Sequence, residues 1–319
     1  MSTGALPQRE LVQGLVAEAY ERYRSDQGGE TSKVYPALAA VPADLFGVCL
    51  VDAHGTEYAV GDSGCPFTIM SVSKPFVFAL VCDLIGPDQA REKIGVNSTG
   101  LPFNSLAAVE RSDDGRTTPM VNAGAIAASS LAPGHSLEER WRFLHQGLSR
   151  FAGRQLSLDD EVYASASATN ARNHGIARLL QSRGRIYCDP SEAVDLYTRQ
   201  CSLQVSARDL AVMGATLADG GRNPVTGLRV VEPIVCHYTL AVMLTAGLYE
   251  TSGEWLYDVG LPAKSGIGGG IVTVSPGMGG MGTFAPPLDR EGNSVKGRKV
   301  ARFLSSRLGL DLLISSPVG

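Results

Sequence analysis

Strand-forming stretches lie at the two ends of this 319-residue chain, and helical patterning fills its middle. Near the N-terminal end, LFGVCLVDAHGTEYAVGD (residues 45–62) reads as two strands around a His-Gly turn, with a third short extended stretch, FTIM, at 67–70. In the last quarter EWLYDVGLPAKSG, GGIVTVSPG and MGTFAPPLD (254–266, 269–277 and 281–289) are short β-type runs bounded by Gly and Pro. Strands that precede and follow a helical stretch can close into one antiparallel sheet, with terminal helices on a face. The expected fold is therefore α/β of the α+β kind: an antiparallel sheet flanked by helices, with an inserted all-helical domain. Residues 1–70 together with 236–319 form a discontinuous sheet domain, and 71–235 a helical one. A boundary of that kind is where small-molecule clefts tend to form.

The helical expectations follow from spacing. Residues 9–25 place Leu11, Leu15, Ala19 and Tyr23 on one face. In SARDLAVMGATLADGG (206–221), Ser206 and Asp209 stand at capping-box spacing and Gly220 is placed to end the helix. Residues 158–180 read as two helices around a polar loop, and Val300, Phe303, Leu304 and Leu308 share a face near the C-terminus.

Composition narrows the function classes. Lys plus Arg total 28 against 32 Asp plus Glu, with no basic run, which argues against nucleic-acid binding. The longest apolar run, Val77–Ile85, contains Asp83 and is too short to cross a bilayer. No charged lead followed by an apolar core opens the sequence, so a cytoplasmic, membrane-free protein is expected. The six cysteines form no CxxC pair and read as reduced thiols. The five histidines make no HExxH-like pattern, so neither a metal nor a cofactor is called for.

The chemistry centres on PFTIMSVSKPFVFAL (66–80), where Ser71 and Lys74 stand three residues apart at the start of an apolar helix. Positions three apart share a helix face. A helix starting at Ser71 brings Lys74 within reach of that hydroxyl, and a Lys in apolar surroundings loses its proton more easily. A neutral amine can take the serine proton as the oxygen attacks a carbonyl, while N–H groups at the helix start help hold the oxyanion. Pro75 offers no N–H to the Ser71 carbonyl. By itself SxxK also describes an ordinary capped helix start. A second element, KSGIGGG at Lys264–Gly270, is what an SxxK acyl-transfer enzyme presents opposite its nucleophile, with Ile267 N–H as a second oxyanion donor; its other reading is a Gly-rich turn.

Beyond these two elements the chain resembles the bacterial-type serine-dependent glutaminases, relatives of serine β-lactamases and penicillin-binding proteins. The resemblance spans about residues 30–310 and rests on SVSKPF, GLPFNS, PMVNAGAI, NARN, YTRQCSL, GLYETSGEW, VGLPAKSGIGGGI and GNSVKG, in that order. It implies a serine β-lactamase-like fold and hydrolysis of a glutamine side-chain amide through an acyl-enzyme on Ser71, with Lys74 as general base. Tyr249 becomes a second proton-handling group, and the Ser71 and Ile267 amides the oxyanion hole. Asn122, Asn173 and Tyr197 match substrate-binding positions, and Lys264 matches the KSG lysine that tunes the site. Taken singly, Asn122 and Asn173 also fit turns or caps, Tyr197 a core position, and Tyr249 a loop packed by Trp255. The resemblance further implies a homodimer or homotetramer.

Three positions depart from the family pattern. Ala166 stands where the family has a glutamate that holds the α-amino end of glutamine, Met70 replaces a glutamine before the nucleophile, and Val34 falls at a tyrosine. Losing a charge-assisted hydrogen bond of about 1.5–3 kcal/mol weakens glutamine binding about ten- to a hundredfold. An amidase acting on a modified or N-blocked glutamine-like amide is therefore a second reading. β-Lactam or ester chemistry ranks lower, for want of a Ser-Asp-Asn motif, and a catalytically idle ligand-binding relative is opposed by the presence of Ser71, Lys74, Tyr249 and Lys264 together.

Overall fold

A computed structural model describes residues 6–314. In chain order its strands are β1 (Gly47–Asp52), β2 (Glu57–Gly61), β3 (Phe67–Thr68), β4 (Ser157–Leu158), β5 (Leu203–Val205), β6 (Ala263–Ser265), β7 (Gly270–Ser275) and β8 (Gly279–Phe284). Five of them form one antiparallel sheet in the order β2-β1-β8-β7-β6. The two ends of the chain thus meet in its middle, where Leu50 pairs with Met281.

Side chains alternate across a strand, and the sheet uses both faces. Val48 and Leu50 of β1, Ile271 of β7 and Met281 of β8 pack under the Arg9–Tyr23 and Val295–Leu308 helices, against Val12, Leu15, Val300 and Leu304. Each such buried aliphatic contributes about 1.5–3 kcal/mol. Cys49, Val51, Val272 and Val274 point the other way, toward Leu210 and Ala211 of the Ala207–Ala218 helix. There β8 offers Gly280 and Gly282 in place of side chains. A Cβ on Gly282 would stand 2.0 Å from the Ala207 carbonyl oxygen, and one on Gly280 2.2 Å from Ala215 N. The helix therefore rests on the strand's backbone.

That helix opens as expected, with Asp209 N–H donating to Ser206 Oγ at 3.2 Å and Ser206 N–H to Asp209 Oδ2 at 2.7 Å. It lies within the 71–235 stretch yet packs on the sheet, chiefly against β8. The helical side is built around Ser73–Ile85, buried on every side from Ser73 to Cys82, as befits a helix apolar all round. Around it stand Asn122–Ser130, Leu137–Ala152, Ala171–Ser182 and Pro190–Cys201. Residues 158–180 divide into helices Asp160–Ala168 and Ala171–Ser182. A small sheet, β3-β5-β4, ties the segment before Ser71 to this side.

Two local expectations are corrected. EWLYDVG is the helix Ser252–Val259 rather than a strand: Trp255 and Val259, one turn apart, are both buried, and left-handed Gly260 (φ 67°) ends it. The apolar helix begins at Ser73, not Ser71. Met70 holds a left-handed φ of 47°, which a right-handed helix cannot include, so Met70–Val72 forms a separate 3-10 turn. Among the described residues, no helix is long and apolar enough to cross a membrane.

Candidate active site

Ser71 is presented by the junction of three local structures. β3 runs antiparallel to β5, Ile69 N–H extends that pairing to the Leu203 carbonyl at 2.9 Å, and the chain then turns sharply at Met70. A non-Gly residue in the left-handed region costs about 1–3 kcal/mol, and such strain persists only where the surroundings impose it. Here it aims Ser71, nearly buried, into a cavity of about 230 Å3. Gly266 closes over it from the β6–β7 turn, where an added Cβ would come within 3.3 Å of Ser71 N and 3.1 Å of the Ile69 carbonyl oxygen.

Lys74 lies one turn further on and is 1% exposed. The expected bond to Ser71 is not formed. Its ammonium donates instead to Asn122 Oδ1 at 2.8 Å and to the Met120 carbonyl at 3.4 Å. The Lys74 nitrogen is instead drawn to the two acceptors that the Met120–Asn122 segment presents. The Phe103 and Tyr197 rings flank the Lys74 nitrogen, with centroids 5.9 and 5.8 Å away. Among the described residues no carboxylate pairs with it, and burial pulls its pKa down from 10.5 to about 7.

Asn122 is the hub of a neutral hydrogen-bonded chain. Its Oδ1 also accepts from the Tyr197 hydroxyl at 2.9 Å, and its Nδ2 donates to Asn173 Oδ1 at 3.0 Å. Asn173 donates to Asn170 Oδ1 at 2.7 Å, and Asn170 to Thr198 Oγ1 at 2.6 Å. Each amide has donors and acceptors matched, which fixes its orientation. Burial holds the Tyr197 phenol well above its ordinary pKa. Asn170 was not among the residues expected from sequence, although it stands three before Asn173 in NARN, the spacing that brings two side chains to one helix face. Cys201 was missed as well: its buried thiol lines the cavity, and burial raises its pKa.

On the sheet side Tyr249 also takes a left-handed φ, 55°, and its ring packs at a tilt against Phe103, centroids 4.9 Å apart. Its hydroxyl donates to the Ser265 carbonyl at 3.2 Å and lies close enough to Ser71 to interact with that side chain. Burial raises the phenol's pKa, and the Ser71 and Ser265 contacts only partly offset this. Lys264, fully buried on β6, donates to the Gly247 and Ser265 carbonyls at 2.8 and 2.7 Å, and its nitrogen stands 4.0 Å from the Tyr249 ring centroid. Burial, then repulsion from Lys74, holds its pKa well below normal. Ile267 sits in the β6–β7 turn, closed by Gly266 N–H to Gly270 O and Gly269 N–H to Gly266 O, both 3.0 Å; among the described residues no backbone carbonyl takes the Ile267 N–H. Both Ile267 and Ser71 line the cavity.

The three departures fall on this cavity. Ala166, Met70 and Val34 all line it, Ala166 at 4% exposure and Val34 on the exposed rim. The neighbouring Tyr35 lines it too, its hydroxyl pushed up to about 12 by burial, so a phenol does reach the wall, one residue on from Val34. Among the described residues, no group of three or more His, Cys, Asp or Glu could hold a metal ion.

With this geometry in hand, comparison with known proteins points one way. The profile of the family described as Glutaminase matches residues 29–313. The chain is 65% identical to "Glutaminase 2" of Yersinia pestis, over 99% of this chain and 93% of that one. It is 45% identical to "Glutaminase" of Desulfovibrio desulfuricans, over 96% and 99%. A solved structure titled a probable glutaminase superposes with a TM-score of 0.95 at 44% identity, covering 97% of this chain and all of that one. A Bacillus glutaminase structure superposes at 0.85 with 30% identity, over 95% and 99%.

Proposed function

The chain belongs to the glutaminase family, and from that premise we propose how its cavity hydrolyses the side-chain amide of L-glutamine to L-glutamate and ammonia. The Ser71 oxygen attacks the amide carbon, and its proton passes to Lys74. The tetrahedral oxyanion accepts from the Ser71 and Ile267 N–H groups. Collapse releases ammonia, which takes its third hydrogen from Lys74 directly or from the Tyr249 hydroxyl, Lys74 then returning its proton to Tyr249, and leaves a glutamyl ester on Ser71. Water, deprotonated by the same base, cleaves that ester and restores the serine. Asn122, Asn173 and Tyr197 bind and orient the substrate. Lys264 steadies Gly247 and Ser265, and with them Tyr249.

The observation that carries this reading is the state of Lys74. With a pKa of about 7, about half of it is neutral at pH 7. Both its partners, Asn122 Oδ1 and the Met120 carbonyl, are acceptors. They fix two N–H bonds of a neutral amine and leave its lone pair for a proton. Tyr249, raised by burial, keeps its proton at neutral pH and serves as a donor. The site lies in the cleft between the sheet unit, 1–70 with 236–319, and the helical unit, 71–235, the Ala207–Ala218 helix bridging the two.

Ser71→Ala is the test. Ammonia release from L-glutamine falls about a thousandfold or more, and wild-type protein quenched early in turnover carries a glutamyl adduct by intact mass. Retained activity in Ser71→Ala without an adduct defeats the serine route. Release from neither protein over a broad amide panel favours the ligand-binding reading, and turnover of β-lactams alone favours the other. A cytoplasmic setting and assembly as a homodimer or homotetramer complete the proposal; light scattering of the purified protein tests the assembly.

A further inference from the structure

Among the described residues, no carboxylate lines the cavity beside Ser71. The one permanently charged side chain on its wall is Arg172, whose Nε donates to the Asn104 carbonyl at 2.6 Å. Two more basic groups, Lys74 and Lys264, are buried close by, bonded only to carbonyl-type oxygens. Acids on neighbouring elements are spent or turned outward. Asp195 is held by the Arg199 guanidinium and the Tyr163 hydroxyl, and Glu161 and Glu250 are exposed.

Free L-glutamine carries an α-ammonium as well as an α-carboxylate. The carboxylate can face Arg172. The ammonium meets only neutral acceptors: Asn122 Oδ1 is filled by Lys74 and Tyr197, while Asn173 Oδ1 and Asn170 Oδ1, each accepting once, offer amide oxygens but no negative charge. A desolvated cation beside buried basic groups, with no carboxylate from the wall to pair it, is disfavoured relative to an uncharged nitrogen. The same wall offers apolar surface at Ala166, Met70, Val34 and Ile267.

We infer that this cavity selects γ-carboxamides whose α-nitrogen is uncharged, with N-acyl-L-glutamines as the preferred class, the acyl group against Ala166 and Met70 and the α-carboxylate toward Arg172. The inference rests on the serine amidohydrolase reading above and leaves its chemistry unchanged: N-acyl-L-glutamine and water give N-acyl-L-glutamate and ammonia.

Ammonia release is measured with L-glutamine, N-acetyl-L-glutamine and 5-amino-5-oxopentanoate, which lacks the α-nitrogen. The expected kcat/KM for N-acetyl-L-glutamine exceeds that for L-glutamine about tenfold or more, mostly through KM, the size of a charge-assisted contact missing for the ammonium. The deaminated amide falls between them. In Ala166→Glu the order reverses in favour of L-glutamine, whereas Ala166→Gln, of equal size and no charge, does not reverse it. L-Glutamine turned over as well as or better than the acetylated compound overturns the inference, whatever the folding of the variants. If L-glutamine wins while Ser71→Ala is dead, only the specificity falls; if none of the three acylates Ser71, the reading beneath it falls too.

Discussion

Lys74→Met should make the protein inactive and more stable at once. Lys74 is buried without a carboxylate, and its pKa drops from 10.5 to about 7. A shift of about 3.5 units, at about 1.36 kcal/mol each, corresponds to an upper bound of about 5 kcal/mol by which the folded state disfavours the bound proton. Between those two pKa values the unfolded chain binds the proton more firmly, so stability rises with pH; the full penalty is present below about pH 7 and gone above about 10.5. Methionine has nearly the same length and no charge. It forfeits two hydrogen bonds, but Asn122 Oδ1 still accepts from Tyr197, so the loss is about 1–2 kcal/mol. The net expectation at pH 6–7 is a gain of at most about 3–4 kcal/mol, gone by pH 10. Urea denaturation of both proteins at several pH values measures it. A variant less stable than wild type at pH 6, or a difference independent of pH, would refute the claim that the folded protein holds this amine in an uncompensated apolar pocket.

Other substitutions probe neighbouring groups. Asn122→Asp, nearly isosteric, puts a carboxylate against the Lys74 nitrogen, so the acid limb of kcat/KM, expected near pH 7 in wild type, should move up by one unit or more. A pH–rate profile shows the shift. Tyr249→Phe keeps the ring over Lys264 and removes the hydroxyl near Ser71; kcat should fall about a hundredfold with KM little changed. Gly282→Ala drives a Cβ to 2.0 Å from the Ala207 carbonyl and should cost about 2 kcal/mol or more, read as a lower Tm with unchanged KM in the surviving folded protein.

Much of the architecture could be seen in the residue pattern because it rests on local rules. The Ser206–Asp209 capping box, the hairpin around His54-Gly55 and the apolar Ser73–Ile85 helix each need only neighbours in sequence. The pairing of the chain ends is long-range, but it follows once the main strand runs are seen to lie on either side of a helical middle. The site is a different matter. The structure gathers Ser71, Asn122, Asn173, Tyr197 and Ile267 on one cavity, with Lys74, Tyr249 and Lys264 packed behind. Which oxygen Lys74 would bond was not legible, because it depends on Asn122 arriving from another helix and on Met70 taking a left-handed turn that no propensity favours. EWLYDVG misled because Trp, Tyr and Val are strand formers, and only its packing against the terminal helix decides otherwise. The role of β8's glycines became visible only with a helix laid across them.

The pairing of Leu50 with Met281 has a consequence for how the molecule comes into being. During synthesis the first hairpin must wait, its apolar faces uncovered, until nearly all of the chain has emerged to supply the central strand. Ser71 is made early and the Ile267 turn late, so a prematurely terminated product would carry the proposed nucleophile without the segment that closes over it. Such fragments would be inert and poorly folded together, which leaves no partly active intermediate for a nascent or truncated chain to occupy.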